Sequence, residues 1–146
     1  MSRETYKVHR LTDREFQMAL AQLHLGHIPE NMREVYAHVQ GTIKELLEYA
    51  KARHIEIIPE IELPSHSEEV LAAYPELGCS GEPYKDSEFC VGNEASFEFL
   101  ETVLAEVIEL FPSEYIHIGG DEAGKQHWKT CPKCQQRMKD EGMESV

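Results

Sequence analysis

The chain reads as an α/β domain built from βα units, the arrangement that lays parallel strands side by side with helices packed on them. Two long stretches, Arg33–Arg53 and Glu94–Leu110, carry apolar residues at intervals of three and four. Two short β-rich runs, IEIIPEI at Ile55–Ile61 and YIHIGG at Tyr115–Gly120, follow those helices. Both runs are apolar along most of their length and acquire carboxylates at their C-terminal ends. Such units form an open sheet or close as a (β/α)8 barrel, and in either case the site is assembled at the C-terminal ends of the strands.

In chain order, Thr12 opens a first helix, with Glu15 three residues on as in a capping box and Phe16, Ala19, Leu20 and Leu23 at helical spacing. LGHIPEN breaks it. The second helix, about Arg33–Arg53, carries the stripe Val35, Val39, Ile43, Leu46, Leu47 and Ala50; Gly41 weakens it by roughly 1 kcal/mol relative to alanine. In the strand Ile55–Ile61, Pro59 stands near the end, and period-two alternation puts Glu60 and Glu62 on one face. LPSHSEE turns into a short helix with Ser67 as its cap. The connection PELGCSGEPYKDSEFCVGN, residues 75–93, has several breakers and no periodicity, and loops of that length are uncommon unless they carry function. The helix Glu94–Leu110 follows, with the stripe Phe97, Leu100, Val103, Leu104, Val107 and Ile108, then YIHIGG, then a final helix started by Pro132 and closed near Gly142.

Composition narrows the function classes. The 146 residues are 41% hydrophobic and 28% charged, a globular composition for one modest domain. A formal charge of -13 and no local basic patch exclude nucleic acid as the expected partner. MSRETYKVHR has no apolar segment behind it, so neither a signal peptide nor a membrane span is expected; a periplasmic, surface-associated or secreted parent stays open.

The chemistry-bearing stretch is HIGGDE, His117–Glu122. In a regular strand Asp121 and Glu122 point to opposite faces, so they share a site only if the chain bends there, which Gly119 and Gly120 permit. Close carboxylates divide labour: one stays ionised, and its charge, with burial, raises the pKa of the other so that it can donate a proton. On pattern alone, a solvated turn and helix start rich in acids is an equally good reading.

HIGGDE resembles the signature of family 20 glycoside hydrolases, the β-N-acetylhexosaminidases, and IIPEIELPSHSEEVLAAYPEL at Ile57–Leu77 resembles the family's segment ending the preceding barrel strand. CVGNEASFEFLETVLAEVIELFPSEYIHIGGDEA and WKTCPKCQQRMKDEG are similar to bacterial members, so the likeness runs nearly continuously over residues 43–142. The resemblance implies a fragment of a (β/α)8 TIM barrel, approximately its third and fourth strand units. Residues 34–146 are then part of the catalytic barrel, and residues 1–33 an altered N-terminal flank with one helix. LTD at Leu11–Asp13 echoes a family segment with compressed spacing, and no role passes to Asp13.

The implied activity is hydrolysis of terminal non-reducing N-acetyl-D-hexosamine residues from β-N-acetylhexosaminides by a substrate-assisted, retaining route. Glu122 matches the general acid/base. Asp121 matches the residue that orients and stabilises the substrate's 2-acetamido group as it attacks the anomeric carbon. His66 matches a histidine supporting the acid/base, with Ser65 in PSH where the family usually has glycine. His117 is expected to face inward as a hydrogen-bonded barrel-layer residue, Glu62 to serve packing and hydrogen-bond networks, with orienting the His66 turn as the alternative, and Asn93 to lie in a loop near the pocket or to cap the following helix. Trp128 reads as packing at least as well as a sugar platform. The chain lacks the family's sugar-gripping arginine, pocket-wall tryptophans and acetamido-binding tyrosine, which implies negligible activity in isolation and uncovered barrel surface that promotes self-association. The alternative is a non-catalytic fragment with a glycan-binding or assembly role. GGDE also resembles the diguanylate cyclase GGDEF motif, but Ala123 follows it and it closes a parallel strand.

The implied chemistry requires no metal or cofactor. Cys131 and Cys134 in CPKC supply two zinc ligands where a structural site needs four, and only Cys79, Cys90 or a histidine such as His127 complete the set. With their separation open, free or disulfide-bonded structural cysteines are the expectation.

Overall fold

The computed structural model describes residues 30–145. The helix expected from Thr12 and the LTD segment lie outside them. Helix α1, Glu30–Lys51, begins three residues before the expected start and ends two short of the expected end, with Val39 and Ala50 buried. Lys51 in its last turn complements the negative end of the helix dipole.

The two extended runs pair in parallel, as expected. Glu60 and His117 form the bridge; the His117 N–H donates to the Pro59 carbonyl at 2.9 Å, the Ile61 N–H to the His117 carbonyl at 2.9 Å, and the Leu63 N–H to the Ile118 carbonyl at 3.1 Å. The expectation of two full strands is corrected, because this single bridge is all the parallel ladder the described residues contain. A parallel pair is stable when covered on both faces and flanked at its edges. Here Ile55, Ile58, Tyr115 and Ile118 stay exposed, and Pro59 has no N–H to donate.

Beyond the first run come α2, Glu68–Ala73, and a 3₁₀ turn, Pro75–Leu77; α3, Glu94–Leu110, has the bounds expected for it. α4, Gln126–Thr130, and α5, Pro132–Asp140, close the fold. The main core joins Val70, Leu71, Leu77, Phe89, Phe99 and Val103, with Ile61, Tyr74 and Leu100 packed against it. α3 buries Ser96, Phe99, Val103 and Val107, a face rotated from the expected stripe: Ile108 is exposed, and the Arg137 guanidinium lies 4.5 Å from the centre of the Phe97 ring. The rotation is tolerated because the buried Ser96 hydroxyl donates to the Leu77 carbonyl at 3.0 Å.

Neither expected cap forms through its side chain. Ser67 Oγ donates to the Ser65 carbonyl at 3.0 Å, and Asn93 Nδ2 donates to the Glu76 carbonyl at 2.8 Å. Both side chains are engaged in the folded connection 75–93 and the turn it docks on. Gly78 and Phe89 form an antiparallel bridge in that connection, and the Cys90 N–H donates to the Leu77 carbonyl at 2.8 Å. Two further bonds, Phe89 N–H to the Pro64 carbonyl at 2.9 Å and Ser67 N–H to the Ser87 carbonyl at 3.1 Å, dock it on the PSH turn.

Candidate active site

The bend expected in HIGGDE is present. Gly119 and Gly120 have φ of 63° and 100°, and Glu122 follows at 52°. Glycine takes such angles freely, whereas a side chain makes them costly. At Gly119 there is a second requirement: a Cβ would lie 2.0 Å from Glu62 Oε2, so the Glu62 carboxylate occupies the space the glycine leaves.

Across from this bend, the PSH turn supplies the partners. His66 has φ 54°, and its Nε2 lies 3.5 Å from Glu122 Oε2. Ser65 is buried, has no left-handed backbone angle, and donates its hydroxyl to the Asp121 carbonyl at 2.5 Å. Serine at this position therefore carries no left-handed strain and adds a tie between the two loops. Polar atoms of Glu62, His66 and Asp121 all lie within 4.8 Å of one another. Among the described residues Glu62 Oε2 is buried without a hydrogen-bond partner, a cost that a donor group reaching it would offset.

The other sequence candidates lie differently. His117 Nδ1 is 2.7 Å from Glu60 Oε1 and 3.2 Å from the Gly119 N–H, so it donates to the carboxylate or accepts from the amide according to its tautomer. Its side chain is 62% exposed among the described residues. The Asn93 amide is committed to the Glu76 carbonyl. Trp128 is core: it is buried, and its Nε1–H donates to the Phe89 carbonyl at 2.9 Å.

Sequence reasoning passed over the groups that hold the acid-bearing loop. The buried Glu88 accepts the Gly124 N–H at 2.7 Å through Oε1, and the buried Asp86 pairs with His127 and accepts from Ser80 Oγ at 2.6 Å. Burial pushes the Asp86 carboxyl up, but hydrogen bonds from Ser80 and His127 outweigh it and hold the group below its ordinary value. Behind these residues all four cysteines converge, their sulfurs within 4.8 Å of one another. Hydrogen bonding from Cys79, joined by the Gly92 amide and opposed by burial, draws the Cys90 thiol well below its ordinary value. The signal was present in the sequence as LGCSG, FCVGN and CPKC, cysteines set in tight glycine- or proline-bearing turns.

Fold and site together define part of a β/α domain with adjacent carboxylates just beyond its second extended run. The family model for the glycosyl hydrolase family 20 catalytic domain matches residues 5–146, and the chain belongs to that family. It is 41% identical over 114 residues to a β-hexosaminidase of Porphyromonas gingivalis, covering 73% of this chain and 15% of that protein. A β-hexosaminidase of Akkermansia muciniphila is 37% identical over 118 residues, with 71% of this chain and 24% of that protein covered. Among solved structures, the β-N-acetylhexosaminidase of Bacteroides fragilis matches with a TM-score of 0.67 at 41% identity, covering 73% of this chain and 22% of that one. A Streptomyces plicatus β-hexosaminidase mutant in complex with its product GlcNAc matches with a TM-score of 0.55 at 34% identity, covering 68% of this chain and 21% of that one. The chain thus spans a quarter or less of the length of these relatives, and its fold is of the TIM-barrel type.

Proposed function

We propose that the protein containing this chain removes terminal non-reducing N-acetyl-D-hexosamine residues from β-N-acetylhexosaminides, and that residues 34–146 form about the third and fourth strand units of its barrel. Glu122 acts as general acid and then base at the glycosidic oxygen. Asp121 orients the substrate's 2-acetamido group, whose carbonyl oxygen attacks the anomeric carbon; water then opens the oxazolinium intermediate with retention of configuration. His66 supports Glu122, and Glu62 steadies the His66 turn. GlcNAc-terminated glycans are the substrate class supported by the product complex of the Streptomyces plicatus relative.

The observation that carries this reading is the meeting of His66 and Glu122. Each is a non-glycine residue held in the left-handed region, on separate loops, with Nε2 and Oε2 3.5 Å apart. Such strain persists where the surrounding structure over-determines it, and it gathers at functional sites.

Substrate assistance is tested on the complete protein with β-glucosaminides whose N-acyl group carries none, one, two or three fluorines. Each fluorine weakens the acyl oxygen as a nucleophile, so kcat/KM should fall steeply along the series, and the slope should flatten in Asp121→Asn. A flat series in the unaltered protein would point to an enzyme-borne nucleophile and reject the reading.

A further inference from the structure

We propose that Cys79, Cys90, Cys131 and Cys134 bind one zinc ion as a tetrathiolate, a structural site that ties the loop bearing Asp121 and Glu122 to the connection 75–93. The sulfur spacings carry the proposal. Cys79 and Cys134 are 3.7 Å apart, Cys90 and Cys131 3.7 Å, and Cys90 and Cys134 3.6 Å. A tetrahedron with zinc–sulfur bonds of about 2.3 Å has edges of about 3.8 Å. Three measured separations therefore fall within about 0.2 Å of the tetrahedral edge. Two disulfides would instead draw the sulfurs into two exclusive pairs, whereas Cys90 stands equally close to two neighbours.

The surroundings fit the same ion. Cys90 is 0% exposed, Cys134 2% and Cys131 6%, with Cys79 partly buried, and four protein sulfurs fill the tetrahedron as in structural zinc sites. Four thiolates are a soft donor set, which selects zinc over the hard cations. Gly92, two residues after Cys90, packs directly against the CPKC turn. Glycine is required at that position, since a Cβ would stand 2.2 Å from the Cys134 nitrogen and from the Lys133 carbonyl carbon. The backbone of α5 is thereby pressed onto the Cys90 turn, bringing CPKC within reach of the other two sulfurs.

The site has a mechanical consequence. Trp128 packs on the cysteines, with Cys79, Val91 and Ala123 around them, and Ala123 is the residue after Glu122. A metal binding the folded cage and not the unfolded chain adds its binding free energy to folding. Zinc would then hold the acid-bearing loop through its C-terminal flank, while Ser65 holds it from the other side.

The test uses the full 146-residue chain, purified under reducing conditions without chelator, and measures bound metal by elemental mass spectrometry together with thiol reactivity. One zinc per chain, with the thiols unreactive until a mercurial releases the metal, is the expected result. Cobalt(II) added to metal-stripped chain should give the intense visible bands of tetrahedral tetrathiolate cobalt at one equivalent, and Cys90→Ser/Cys131→Ser should abolish them. Because that variant could also fail to fold, the cobalt titration of the unaltered chain stands as an independent readout. Four freely reactive thiols with no bound zinc and no cobalt bands, an intact mass showing disulfides, or a stoichiometric iron chromophore would each overturn the proposal.

Discussion

Replacing Gly119 with alanine separates two demands that the structure places on one residue. Its φ of 63° costs an L-residue about 1–2 kcal/mol. The added Cβ would also lie 2.0 Å from Glu62 Oε2 and 2.8 Å from Glu62 Cδ, displacing the end of a flexible, half-buried side chain at about 1 kcal/mol, the low end of overpacking costs. Gly81 supplies the control: its φ is 70°, and nothing lies within 4 Å of the place an added methyl would take, so alanine there meets the backbone penalty alone. The expected loss is about 2–3 kcal/mol for Gly119→Ala against about 1–2 kcal/mol for Gly81→Ala. Urea unfolding followed by emission of Trp128, the chain's one tryptophan, reads both variants. In a Glu62→Ala background the excess should vanish, since neighbouring substitutions couple through the contact they share. Equal costs for the two alanines, or an excess that survives removal of Glu62, would refute the assignment of that carboxylate to the space above Gly119.

Three further outcomes are expected. Ser65→Ala removes the donor to the Asp121 carbonyl and should cost about 1–3 kcal/mol in the same unfolding assay, with a drop in kcat of the complete protein; threonine should recover part of both. Asp86, held below its ordinary value, contributes stability that is present above the unfolded value of 3.8 and lost as pH falls through the lower folded value; Asp86→Asn should therefore lose stability near neutrality and flatten the acid limb of the urea midpoint against pH. The isolated chain should hydrolyse a chromogenic N-acetylglucosaminide negligibly, since the Glu122 side chain is 75% exposed and glycosidic cleavage takes place in a site closed from water; turnover matching a complete enzyme, lost in Glu122→Gln, would contradict this.

The two long helices were legible because a 3.6-residue period is local: α3 was bounded from its apolar intervals alone. Its inward face was not, because Ser96 is buried by a bond to Leu77, nineteen residues away, which no periodicity encodes. Ser67 and Asn93 had the right chemistry for caps, and other carbonyls took their side chains instead. The strand runs were legible as extended and parallel, while ladder length depends on neighbouring strands. In the site, the glycine bend and the His66–Glu122 meeting followed from sequence spacing and family likeness. The Glu88 and Asp86 anchors and the gathering of four cysteines did not, because they depend on how a long aperiodic connection folds back on itself.

Central to the proposed chemistry is that Glu122 supplies the proton to the departing glycosidic oxygen. This is tested most directly by kcat/KM of the complete protein and its Glu122→Gln variant on two N-acetylglucosaminides. One bears a sugar leaving group, which needs protonation; the other bears p-nitrophenolate, which departs without it. The expected loss is about 100- to 10,000-fold on the first substrate and much smaller on the second. An equal loss on both, or none on the first, would contradict the role given to Glu122.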